Sequence, residues 1–131
     1  MSKDGRSLLE DPLFGSKIAQ VEIELTALEV TNMRVIFAEA AKQAPGPEAS
    51  MLKIRGTEIQ QAITELLVQA VGPYALPLRR DAMAAGYQGS ALGPDYAAPL
   101  AANYLNMRKL SIFGGSNEIQ KNIIAKLILG I

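Results

Sequence analysis

Asp11 to Pro47 reads DPLFGSKIAQVEIELTALEVTNMRVIFAEAAKQAPGP, and the spacing of its apolar residues decides the fold class. Phe14, Ile18, Val21, Leu25, Leu28 and Val35 recur at intervals of three and four, with Asn32 taking the seat between the last two. That is the period of one helix face. Asp11 offers a capping carboxylate, and Pro12 falls where the first helical turn has no N–H to lose. Ala44-Pro45-Gly46-Pro47 cannot continue a helix. A helix of about thirty residues is expected, a length usual for a helical bundle.

Working outward, a second helix is expected from Pro47-Glu48, with Leu52, Ile59, Ile63, Leu66 and Ala70 on one face and Ile54, Ala62 and Leu67 widening the stripe. Gly72-Pro73 stops it. Gly56 sits inside at a cost of about 1 kcal/mol relative to Ala, which a closely approaching neighbour helix would explain. Gly72 to Pro99 carries four Gly and four Pro in 28 residues, so 73–98 reads as a long loop with one helical turn near Asp81 to Ala84. A short helix over Pro99 to Ser111 and a last one over Asn117 to Leu129 follow, the latter with Ile119, Ile123, Ile124, Leu127 and Ile128 inward. No strand pattern occurs. The expected architecture is one all-α domain over 1–131, an up-down bundle, with a flexible segment at 1–10.

Composition removes several kinds of chemistry. The 131 residues contain no His, Cys or Trp, so a Ser-His triad, a thiolate nucleophile and an ordinary zinc or haem site are excluded. Thirteen Lys and Arg balance thirteen Asp and Glu, which gives no electrostatic handle on nucleic acid or an anionic membrane. The polar start Met1-Ser2-Lys3-Asp4-Gly5-Arg6 runs into no long apolar stretch, and Lys126 interrupts the most apolar one. Neither a signal peptide nor a membrane span is expected, and the cytoplasm is the default location.

One local arrangement has a physical use. Gly114-Gly115-Ser116-Asn117 stands immediately before a helix, where glycines let the backbone approach a ligand and the first turn offers unpaired N–H groups at the positive end of the dipole. Asn117 with Gln120 also reads as a capping box that would satisfy those donors without any ligand. On spacing alone both readings stand. Carboxylates are the strong bases available, but most, including Glu22 and Glu29, fall on polar helix faces and form no acid/base pair. Tyr74, Tyr87, Tyr96 and Tyr104 bracket the loop and would pin it to a core or line a pocket.

The run Ser111-Ile112-Phe113-Gly114-Gly115-Ser116-Asn117-Glu118-Ile119-Gln120-Lys121-Asn122-Ile123-Ile124-Ala125-Lys126-Leu127-Ile128-Leu129-Gly130 resembles the closing segment of acyl-CoA dehydrogenases. Leu67-Val68-Gln69-Ala70-Val71-Gly72-Pro73-Tyr74 is similar to the end of the family's preceding long helix, and Asp11-Pro12-Leu13-Phe14-Gly15 to its Phe-Gly motif. The resemblance implies a piece of an FAD enzyme that removes two hydrogens from the α and β carbons of an acyl-CoA thioester, with electron-transfer flavoprotein as acceptor. It further implies the family's C-terminal bundle without its first helix and without the N-terminal helical and β-domains. By position, Phe113 and Gly114 would meet the substrate, and Gly72, Gly115, Ser116 and Glu118 the FAD.

Departures from the family pattern bear on activity. Gly114 stands where many members carry the catalytic Glu, so no catalytic residue is assigned. Asp11 replaces an Arg that touches the neighbouring subunit's FAD, and Leu105-Asn106-Met107 stands in place of an Arg-Asp-Ala stretch. Some members hold the base on the first bundle helix, and others work as unlike-subunit pairs in which one subunit has no competent site. The alternative is a non-catalytic helical oligomerisation module. Either way the apolar seams predict self-association or pairing with an unlike dehydrogenase subunit.

Overall fold

The computed structural model describes residues 5–44, 46–90 and 92–130. Among them are four α-helices, α1 (Pro12–Ala40), α2 (Glu48–Val71), α3 (Leu100–Met107) and α4 (Asn117–Leu129). Single 3-10 turns fall at Leu8–Glu10, Gly72–Ala75, Asp81–Met83 and Arg108–Ser111, and no strand occurs among the described residues. The all-α class is as the periodicity predicts. Of the segment expected to be flexible, Leu8–Glu10 forms one turn and residues 1–4 lie outside the described ones. No helix among the described residues is long and apolar enough to cross a membrane.

Local chemistry sets the helix ends. Asp11 Oδ1 accepts from the backbone N–H of Leu13 at 2.9 Å and of Phe14 at 3.1 Å, which satisfies two donors of the first turn. At the far end of α1 the Gln43 N–H reaches the Ala38 carbonyl at 3.0 Å while Lys42 takes φ +56°. That closing turn suits glycine, and a lysine there costs about 1 kcal/mol.

The chain divides into two units, and α1 and α2 contribute to both. The first takes the residues up to Ile18 together with Gln61–Arg108. Its core is small: Val71, Ala75 and Ala97, with Val68, Leu100 and Ala101 packed against them. Lys17 Nζ donates to Gln69 Oε1 at 2.8 Å across its helical pair. Polar pins do much of the remaining work. The Arg108 Nη2 donates to the Gln61 carbonyl at 2.8 Å and to Thr64 Oγ1 at 3.1 Å, and Gln61 Nε2 donates to the Arg108 carbonyl at 3.2 Å.

The second unit takes Ala19–Gln60 with Lys109–Ile131. Here the two long helices run antiparallel, with Arg55 paired to Glu24 at 3.3 Å. A Cβ built on Gly56 would lie 3.9 Å from Leu28 Cδ2, so the glycine faces a close neighbour, as its position predicts. Ile54 and Ile59 are buried beside Ser50 and Thr57, and the Thr57 hydroxyl donates to the Lys53 carbonyl at 2.8 Å, which removes the cost of burying it.

The inward faces differ from the predicted ones in three places. On α1, Leu25 and Asn32 are exposed and Glu24 and Thr31 take the half-buried seats. Glu24 is compensated there by Arg55, and Thr31 donates to the Ala27 carbonyl at 2.8 Å, so neither polar group is stranded. On α2, Ile63 and Leu67 are exposed while Thr57 and Thr64 are buried, and Ile54 is buried as its place on the stripe predicts. On α4 only Ile124 of the predicted five is half-buried, and Ile119, Ile123, Leu127 and Ile128 are exposed. The apolar period marks the helices, but period alone does not say which apolar side finds a neighbour.

Candidate functional site

The loop that leads into α4 carries four of the six predicted site residues, Phe113 to Ser116, and the helix's first turn carries a fifth, Glu118, all within the second unit. It leaves the Arg108–Ser111 turn, whose last bonds are those from the Ile112 and Phe113 N–H groups to the Lys109 carbonyl at 2.9 and 3.2 Å. Phe113 is exposed, with Lys109 Nζ 5.9 Å from its ring centre. Gly114 and Gly115 follow at φ +71° and +85°. A side chain is strained in either place, and only two consecutive glycines reverse the backbone here cheaply. Nothing lies within 4 Å of a Cβ built on Gly114, so its face is open, whereas one on Gly115 would meet Gln120 Nε2 at 2.7 Å.

Ser116 is the cap of α4, accepting from the Ile119 N–H through Oγ at 3.4 Å. The predicted cap, Asn117, is instead the first helical residue and is buried, its Oδ1 held by Lys53 Nζ at 2.8 Å. The cap is displaced by one residue because Lys53 takes the Asn117 amide oxygen and the Ser116 hydroxyl serves the first turn in its place. Glu118 lies in that first turn, and its carboxylate is held below the usual range by its own backbone N–H and by the Ser116 hydroxyl. It is therefore an anion at neutral pH, spent on the helix start. The remaining predicted residue, Gly72, belongs to the first unit, where it opens the Gly72–Ala75 turn at φ +55°.

The sequence family described as acyl-CoA dehydrogenase, C-terminal domain, matches residues 2–129. The chain belongs to this family. It is also 25% identical, over 130 residues, to acyl-CoA dehydrogenase FadE26 of Mycobacterium tuberculosis, a match that covers 97% of this chain and 30% of that protein. The chain thus spans about 30% of the length of the curated relative it matches. No solved structure matches it.

Within this member of the acyl-CoA dehydrogenase family, the donor set before α4 suits an anionic or carbonyl oxygen: backbone N–H groups of a glycine turn at the start of a 13-residue helix, with one open face at Gly114. These residues fit contact with a flavin or a thioester. They offer no base, because positions 111–117 contain no carboxylate. Among the described residues no group of three or more His, Cys, Asp or Glu is placed to hold a metal.

Tyr74, Tyr87 and Tyr104 take the roles foreseen for them, whereas Tyr96 is exposed. The Tyr104 ring lies 4.3 Å from the Arg108 guanidinium carbon, and the Tyr87 hydroxyl accepts from Arg79 Nη2 at 2.6 Å. Arg79 also binds Asp81 through two N–H groups, at 2.7 and 3.1 Å, which draws the Asp81 carboxyl far below the usual range. Tyr74 and Tyr87 line a cavity of about 450 Å³ with Arg79, Leu92 and Asp95. Lys53, Gln61 and Arg108 were not found by sequence reasoning. They sit on helical segments and bond to backbone carbonyls at separations of 46 to 57 residues, a connection that leaves no local pattern.

Proposed function

We propose that the chain is the C-terminal helical part of an FAD-dependent acyl-CoA dehydrogenase, contributing flavin and thioester contacts and a subunit interface but not the base. The single observation that carries this reading is the open, positive-φ glycine turn at Gly114-Gly115 before the Ser116-capped helix, in a chain of this family. A backbone N–H at Gly114 donated to the thioester carbonyl would polarise it and acidify the neighbouring Cα–H. Gly115 and Ser116 would hold the flavin side of the same turn, Glu118 would hold the helix start, and Phe113 would face the acyl chain. Gly72 would meet the cofactor's nucleotide half. Bound FAD supplies the acceptor for the hydride that leaves Cβ. The proton leaving Cα must go to a carboxylate at some position other than 114, since a glycine cannot accept it.

Enclosure matters equally. The Ile112 and Phe113 side chains are exposed, and a reacting thioester needs water excluded from both faces. The chain by itself is therefore inactive, and a neighbouring domain or an unlike dehydrogenase subunit completes the site. Action in the cytoplasm with electron-transfer flavoprotein as acceptor belongs to the same proposal.

A second reading, a non-catalytic oligomerisation module, draws on a specific feature. Ala19, Ile23, Thr26, Val30, Met33 and Phe37 follow one another on α1 at intervals of four and three, and Ile23, Val30 and Phe37 are 65%, 57% and 66% exposed. Such a stripe asks for a covering helix. Turnover of an acyl-CoA with an artificial electron acceptor tests the main reading. The isolated chain is expected to give none and a reconstituted assembly to give turnover; activity from the chain alone would overturn the claim that it lacks the base.

A further inference from the structure

We propose that Lys53 is a positioning residue that holds both ends of the 111–116 loop and so fixes the Gly114-Gly115 turn. Its Nζ donates to the Asn117 Oδ1 at 2.8 Å and to the Leu110 carbonyl at 3.3 Å. Leu110 belongs to the 3-10 turn that ends at Ser111, and Asn117 is the first residue of α4, so one ammonium spans the loop from its first anchor to its last. Both acceptors lie more than fifty residues from Lys53, which projects from the interior of α2.

Ile112, Phe113, Gly114 and Gly115 are exposed, and neither glycine has a side chain to pack. The tie that Lys53 makes lies at the two ends of the loop. An ammonium has three donors and no acceptor, which suits it to bridging two carbonyl-type oxygens, and Asn117 is only 9% exposed, so its amide oxygen would be left without a partner if the ammonium were removed.

Only the identity of what the loop holds rests on the proposed function, and the clamp can be read without it. Four backbone N–H groups report on the two ends: Ile112 and Phe113, bonded to the Lys109 carbonyl, and Ile119 and Gln120, bonded to Ser116. In Lys53→Met these four amides are expected to exchange about tenfold faster than in the parent chain, with the α1 amides unchanged. Lys53→Arg, whose fork can also serve two oxygens, is expected to return them to within about threefold. Parent-like exchange in a folded Lys53→Met, or an equal rise over every helix, overturns the proposal.

Should Lys53→Met fail to fold, Asn117→Ala cuts one leg alone. It is expected to accelerate Ile119 and Gln120 while sparing Ile112 and Phe113, and no acceleration overturns the clamp. In the unmodified chain the Lys53 ammonium protons are expected as a distinct, slowly exchanging resonance, and their absence would count equally against it. FAD titration of Lys53→Met separates the two ideas. Altered exchange with weakened flavin binding supports both, whereas altered exchange with unchanged binding keeps the clamp and removes the flavin role of the loop.

Discussion

Replacing Arg108 with alanine is the sharpest structural perturbation this chain offers. The guanidinium gives Nη2 to the Gln61 carbonyl at 2.8 Å and to Thr64 Oγ1 at 3.1 Å, gives Nε to the Tyr104 carbonyl at 3.3 Å, and stacks 4.3 Å from the Tyr104 ring centre. A hydrogen bond from a charged donor contributes about 1.5–3 kcal/mol net. The three share one side chain and add incompletely, the stacking brings about 0.5–1 kcal/mol, and ordering the side chain costs about 2 kcal/mol. Arg108→Ala should therefore destabilise by about 2–3 kcal/mol. In urea, with a slope of about 2 kcal/mol per molar, the midpoint would fall by about 1–1.5 M at unchanged slope. By heat, Tm would drop by about 10 °C. Arg108→Lys should recover less than half, because a point-like ammonium cannot reach three acceptors and stack at once. A midpoint within 0.2 M of the parent, or full recovery by lysine, would refute the assignment of Arg108 as the pin of the first unit.

Other perturbations give separable outcomes. Gly114→Ala and Gly115→Ala should each cost about 1 kcal/mol by chemical denaturation, since both pay for positive φ and the Gln120 amide that a Cβ at Gly115 would meet is the mobile end of a side chain. A cost-free substitution at either position would contradict the left-handed turn. Lys42→Gly should stabilise by about 1 kcal/mol in the same assay, because glycine takes φ +56° without strain. Glu118 has its pKa lowered by the helix start, so its contribution is present above the unfolded glutamate pKa of about 4.3 and is lost as pH falls through the depressed folded value. The stability difference between the parent and Glu118→Gln should thus hold constant from pH 7 to about 5 and shrink below that, as read by urea midpoints across pH. Light scattering should find an oligomer that Ile23→Lys with Val30→Lys converts to a monomer.

Much of the fold could be read from the sequence because its punctuation is chemical. Asp11-Pro12 and Gly72-Pro73 mark helix ends through donors and rings that act locally, and α1, α2 and α4 end within two or three residues of the predicted limits, whereas α3 stops at Met107 and the rest of its predicted span tightens into the Arg108–Ser111 turn. Facing was less legible. Glu24 and Thr31 take inward seats on α1 because Arg55 and the Ala27 carbonyl satisfy them, and neither compensation is visible in a period of three and four. At the site, the glycine turn and the helix start were legible for the same local reason. The cap slipped by one residue because Asn117 is recruited by Lys53, 64 positions away. A tie of that separation is a product of folding and has no trace in the spacing of neighbours.

On the proposed function the turn before α4 would contact flavin in a chain that does not supply the base from that turn. The most direct test is the visible absorption of the purified chain after incubation with FAD and passage through a desalting column. Flavin carried through with the parent chain, and lost from a Gly115→Val variant that keeps its helical circular dichroism, is the predicted result. A colourless, fully helical parent chain would contradict the claim and leave the chain as an assembly element alone.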